Sequence, residues 1–88
     1  MKDVDADSQD LDQKLQVANN FFGRGIKFLR KKHNITQQEL EWYSGVQQNV
    51  ISMMESGKAN FKMEHVVRIA AAFNMNIVTF FDVCLVAS

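Results

Sequence analysis

Thr36-Gln37-Gln38-Glu39 constrains this chain more tightly than any other stretch. A threonine followed three residues on by glutamate is a capping box. The hydroxyl accepts from the third N–H, and the carboxylate accepts from the threonine's own N–H. A helix is therefore predicted to start at Thr36, and it is short: Ser44-Gly45-Val46 interrupts it just past Tyr43. Gly45 is free to take the left-handed backbone that such a turn needs. A second short helix follows from about Gln47 to Glu55, with Val50, Ile51 and Met54 on its inward side and Gly57 at its end.

Upstream of this pair, Leu11, Leu15, Ala18, Phe22, Ile26 and Leu29 recur at three- and four-residue steps, the stripe of an amphipathic helix. Gly23 and Gly25 interrupt the stripe, each costing about 1 kcal/mol against alanine in a helix. Two helices near 11–21 and 24–32, or one helix kinked between them, are predicted, with Asn34 as the stop. Residues 1–10 lack periodic hydrophobicity and read as a disordered acidic tail, followed by an N-terminal helical extension over 11–22. Downstream, Met63, Val66, Val67, Ala70 and Phe73 trace a further helix closed at Asn74, and Asn76 can cap a last element. The stretch from Ile77 to Val86 is ambiguous. Its spacing allows a short helix over 77–82, while its β-branched and aromatic content also suits a strand. The favoured reading is the short helix and then an extended apolar tail over 83–88. The fold class is all-α, five helices over residues 23–82 with the helical extension in front, and the absence of proline agrees with it.

Length and composition narrow the function. Eighty-eight residues allow one small domain, too small for a deep enzyme cleft. A hydrophobic fraction of 47% excludes full disorder. One cysteine and two histidines form neither a disulfide nor a convincing zinc site, so no metal and no cofactor are expected. His33 and His65 have no nucleophile at readable spacing. Cys84, between Val83 and Leu85, reads as a buried small hydrophobe or an interface residue, and no catalysis is expected. No apolar run approaches the roughly 18 residues of a membrane span, and the acidic start is not a signal peptide, so the expected location is the cytoplasm, away from the membrane. The net charge of zero hides an asymmetry: residues 1–12 carry five aspartates against Lys2, and Arg24, Lys27, Arg30, Lys31 and Lys32 crowd nine positions of a basic remainder. A basic folded part suits a module that meets a polyanion.

Two short helices joined by a glycine-containing turn make a helix-turn-helix. Ile26-Lys27-Phe28-Leu29-Arg30, Ile35-Thr36-Gln37-Gln38-Glu39-Leu40, Ser44-Gly45-Val46, Ile51-Ser52-Met53-Met54-Glu55-Ser56-Gly57-Lys58 and Ile69-Ala70-Ala71-Ala72-Phe73-Asn74-Met75 together resemble the Cro/C1-type (Xre-family) helix-turn-helix regulators, from about Gly25 to Phe81. The resemblance implies a five-helix, lambda-repressor-like domain whose second helix of the pair enters the major groove of double-stranded DNA. It places base reading on Gln47, Gln48, Asn49 and Met53. Gln and Asn pair bidentately with adenine, whereas Met53 has only a thymine methyl to touch. It places phosphate contacts on Gln37, Ser52, Lys58, Asn60 and Lys62. It also implies a structural ion pair between Arg30 and Glu55.

The expected function is a sequence-specific transcription regulator, a repressor or controller protein, that reads a palindromic operator as a homodimer. No small-molecule ligand is expected. Trp42, Ile77, Phe80, Phe81, Val83 and Leu85 are the candidate dimer or partner surface. Trp42 and Tyr43 stand where the family is usually polar, which calls for a cover: the N-terminal extension, or a partner protein such as a toxin or RNA polymerase. Two alternatives stay open, an antitoxin built on the same fold and a protein-interaction module that no longer binds DNA.

Overall fold

The structure, a computed structural model, describes residues 4–88, with side chains placed from Asp10 onward. Five helices follow in order: α1 Val4–Lys32, α2 Gln37–Ser44, α3 Gln48–Glu55, α4 Met63–Ala72 and α5 Ile77–Ala87. The 29 residues of α1, at about 1.5 Å each, account for most of the molecule's 47 Å long axis. The other four helices gather at its C-terminal half. There α1 packs on α3 and α5, α2 on α3 and α4, and α4 on α5. Phe22, Ile26 and Leu29 of α1 meet Leu40, Ile51, Met54, Val66, Ile69 and Phe80 in one buried core.

One expectation about α1 is corrected and one open alternative is decided. The stretch 1–10, expected to be disordered, is helical from Val4 on, while residues 1–3 lie outside the described residues. Residues 4–10 contain neither glycine nor proline, and their acidic composition is the kind a helix N-terminus favours. Hydrophobic periodicity alone does not register either factor. Of the two readings for Gly23 and Gly25, two helices or one, the single helix is found: α1 runs through both. These glycines mark the places where other helices press against it. A Cβ on Gly23 would collide with the backbone carbonyl of Met54 in α3, and one on Gly25 with Sγ of Cys84 in α5.

This close approach yields a prediction whose sign opposes helix propensity. Propensity alone would make Gly23→Ala stabilising by about 1 kcal/mol. The obstructing atom is a backbone carbonyl, which cannot rotate away, so overpacking dominates and a net loss of about 1–3 kcal/mol is expected. A thermal melt decides the matter: a higher Tm for the variant would contradict the contact.

The C-terminal reading is corrected as well. Residues 83–88, expected as an extended tail, continue α5 to Ala87. Asn76 caps the helix, its Oδ1 accepting from the N–H of Thr79 at 2.9 Å. Phe80 and Cys84, four residues apart, are fully buried, and Ala87 is half-buried one turn further along. That inward stripe was hard to see because the outward positions Val78, Phe81, Leu85 and Val86 are apolar too.

Candidate nucleic-acid interface

The α2–α3 pair is held at a fixed angle by its turn. Ser44 Oγ donates to the carbonyl of Leu40 at 2.7 Å and accepts from the N–H of Val46 at 3.1 Å. Gly45 has φ 77°, a left-handed value costly for any residue with a Cβ. Its N–H closes α2 on the carbonyl of Glu41 at 2.8 Å. Val46 is buried directly after it, so the chain enters α3 in one orientation.

The two helix starts differ in a way that bears on binding. At α2 the capping box is complete: Thr36 Oγ1 accepts from the N–H of Glu39 at 3.0 Å, and Glu39 Oε1 accepts from the N–H of Thr36 at 2.8 Å. At α3 the N-cap is Gln47, in extended backbone, and its side chain makes no capping bond. The first-turn N–H groups of α3 are therefore not capped by the Gln47 side chain, and Gln47, Gln48 and Asn49 are exposed. Ile51 and Met54 hold the opposite face of α3 in the core. Met53, one turn beyond Asn49, and Ser52 are exposed as well.

The residues expected to hold phosphate fall into two settings. Lys58, Asn60 and Lys62 are exposed in the segment between α3 and α4. Gln37 is half-buried, and its Nε2 donates to Glu55 Oε1 at 3.2 Å. One N–H of that amide thus serves the protein and the other is left to face outward. Glu55 also receives Arg30 Nε at 2.8 Å and Arg30 Nη2 at 3.0 Å, a bidentate pair. Arg30 Nη1 reaches on to the carbonyl of Ile35 at 3.1 Å. The hydrogen bonds it donates to Glu55 hold the Arg30 guanidinium pKa above its usual value, against the desolvation that would lower it.

The apolar candidates divide by face. Phe80 is not on the surface: it is 0% exposed and belongs to the core. Ile77 and Val83 are half-buried against that core. Phe81 and Leu85 do face outward, and Val78 and Val86 of the same apolar stretch face outward with them. Trp42 is 81% exposed, its ring 5.2 Å from that of Tyr43. The N-terminal extension does not cover it. Instead, α1 reaches the segment after α3, where Gln16 Nε2 donates to the carbonyl of Gly57 at 3.0 Å and Asn19 Nδ2 donates to Asn60 Oδ1 at 2.9 Å. The sequence reading did not single out Gln16 or Asn19, which make these contacts. One signal was available, since Asn19 interrupts the run Leu15, Phe22, Ile26 on the inward stripe.

A turn-locked pair of helices, the second presenting an exposed polar first turn, defines a helix-turn-helix domain of the DNA-binding kind. The comparison with known proteins agrees. A family model described as helix-turn-helix, of the Cro/C1 type, matches residues 26–80, and the chain belongs to that family of transcription regulators. A competence pilus inhibition repressor of Acinetobacter baylyi is 34% identical over 55 residues, 62% of this chain and 50% of that protein. An uncharacterized HTH-type transcriptional regulator of Archaeoglobus fulgidus is 40% identical over 52 residues, 59% of this chain and 73% of that protein. The match thus spans half the length of the first relative.

Proposed function

We propose that this chain reads a palindromic operator as a homodimer and represses transcription from it. Gln47, Gln48, Asn49 and Met53 take the bases, and Gln37, Ser52, Lys58, Asn60 and Lys62 take the phosphates. The observation that carries this reading is the first turn of α3, where three side-chain amides stand exposed on a helix whose other face is fixed in the core. A single copy reads too few base pairs to select a site, which calls for two. Val78, Phe81 and Leu85, on one outward face of α5, form the apolar surface for the second copy. No catalysis belongs to this reading. Cys84 is fully buried and burial pushes its thiol up to about 11, so it stays protonated and out of reach. No single helix among the described residues is long and apolar enough to cross a membrane, and we place the protein in the cytoplasm with its DNA.

Selection of bound duplexes from a random pool tests the reading. A palindrome with half-sites roughly 34 Å apart is the expected product. Gln48→Ala should then weaken binding by about 1–3 kcal/mol and relax the preference at one position. A pool with no enriched sequence would overturn the reading. The exposed Trp42–Tyr43 pair favours a second reading, in which a toxin or RNA polymerase docks on α2. Co-purification of such a protein with the wild type, lost in Trp42→Ala, would support it.

A further inference from the structure

The part of α1 that precedes the matched family region is fastened to the segment that follows the recognition helix. Asn19 is 6% exposed, at a position on the inward stripe where an apolar residue would be the default. Its hydrogen bonds explain the amide. The N–H of Phe61 donates to Asn19 Oδ1 at 3.4 Å, and Asn19 Nδ2 donates to Asn60 Oδ1 at 2.9 Å. A second fastening lies one turn earlier. Gln16 Nε2 donates both to the carbonyl of Gly57 and to Asn20 Oδ1, each at 3.0 Å. The rings of Phe22 and Phe61 pack at 4.4 Å beside it.

The backbone decides which way these amides point. A main-chain N–H can only donate, so Asn19 must turn Oδ1 toward Phe61 and Nδ2 toward Asn60. Asn60 must then answer with Oδ1, and its own Nδ2 is left facing outward. That NH₂ lies on an exposed segment between Lys58 and Lys62, so all three outward groups are donors. Without Asn19, the Asn60 amide is free to flip and present its carbonyl oxygen to a phosphate, which repels it.

We propose that Asn19, with Gln16, is a positioning residue for DNA binding: it sets the donor polarity of Asn60 and the path of residues 57–62, so that the helical extension forms part of the phosphate grip. This inference rests on the DNA-binding reading above and goes beyond it, since Gln16 and Asn19 lie outside the region that matches the family.

The test measures the full chain on the duplex recovered by selection, as a function of salt. Asn19→Leu keeps the branched heavy-atom shape while removing both hydrogen bonds. It is expected to weaken binding about tenfold, the scale of a hydrogen bond to a charged group. The slope of log K against log salt should stay at its wild-type value, because a neutral amide releases no counterion, and the base preference should be unchanged. Adding Asn60→Ala to Asn19→Leu should then cost little more, because the two act through one contact. Gln16→Ala, at an exposed site that leaves the buried layer intact, should weaken binding about threefold through the same segment, on the scale of one ordinary hydrogen bond. Wild-type affinity in both Asn19→Leu and Gln16→Ala would overturn the inference while leaving the DNA-binding reading standing. So would losses from Asn19→Leu and Asn60→Ala that simply add. If the wild type itself shows no salt-dependent binding to any duplex, the reading falls and the inference falls with it.

Discussion

Glu55→Ala is expected to remove about 3–5 kcal/mol of stability, the usual cost of taking one partner from a buried ion pair. The Glu55 side chain is 5% exposed and holds three hydrogen bonds, two from Arg30 and one from Gln37. Arg30 spends its remaining reach on the carbonyl of Ile35, so one carboxylate links α1, the α1–α2 connection, α2 and α3. Its loss strands a guanidinium that is itself largely shielded from water. A domain of this size has about 5–15 kcal/mol in total. The loss should therefore appear as a fall in Tm of roughly 15–30 °C. Glu64→Ala is the control: it breaks a pair of equal length, 2.8 Å, but one lying in solvent, and the melt should hardly move. Replacing Arg30 and Glu55 together by apolar residues of similar volume should restore much of what Glu55→Ala loses, because no unpaired charge is left behind. A Glu55→Ala melt within a few degrees of wild type would show that the pair does not hold the helices together. The same variant should also weaken DNA binding, since Gln37 loses the bond that fixes its amide.

Which parts of this arrangement were legible in the sequence follows from how local their causes are. The capping box at Thr36, the left-handed turn at Gly45 and the caps at Asn34, Asn74 and Asn76 each rest on a few neighbouring residues, and each falls where the spacing placed it. The causes that operate across the fold were not legible. A glycine in a helix reads as a break because its neighbours in sequence show only the entropy it costs. At Gly23 and Gly25 the deciding neighbours are Met54 and Cys84, far along the chain. Asn19 reads as a flaw in an apolar stripe until Asn60 and Phe61 stand beside it. Trp42 calls for a cover on grounds of chemistry, and only the path of α1 shows that the extension goes elsewhere. For the proposed DNA contacts, the family resemblance could single out Gln47, Gln48 and Asn49 because the start of one short helix carries them all. The orientation of Asn60 depends on chain-distant Asn19, itself turned by the N–H of Phe61, and has no local signature.

The outer and inner faces of α5 give the second large effect, and the two faces separate cleanly. Phe80→Ala should cost about 3–5 kcal/mol, because it empties a fully buried aromatic site that packs beside Phe22 in the centre of the core. That loss should be independent of protein concentration, since no second copy is needed to bury the ring. Leu85→Asp should do the opposite. Leu85 is 65% exposed, so a charge there meets water in the monomer and should leave the melt of dilute protein close to wild type. In a dimer formed through Val78, Phe81 and Leu85, the same aspartate would be buried opposite an apolar partner and, by two-fold symmetry, near its own copy. Dimerisation and operator binding should then be lost together, and sedimentation at micromolar concentration reads the first directly. A Leu85→Asp protein that still sediments as a dimer would move the interface off α5. A Phe80→Ala protein that melts like wild type would mean that the ring lies at an interface after all, as its apolar character first implied.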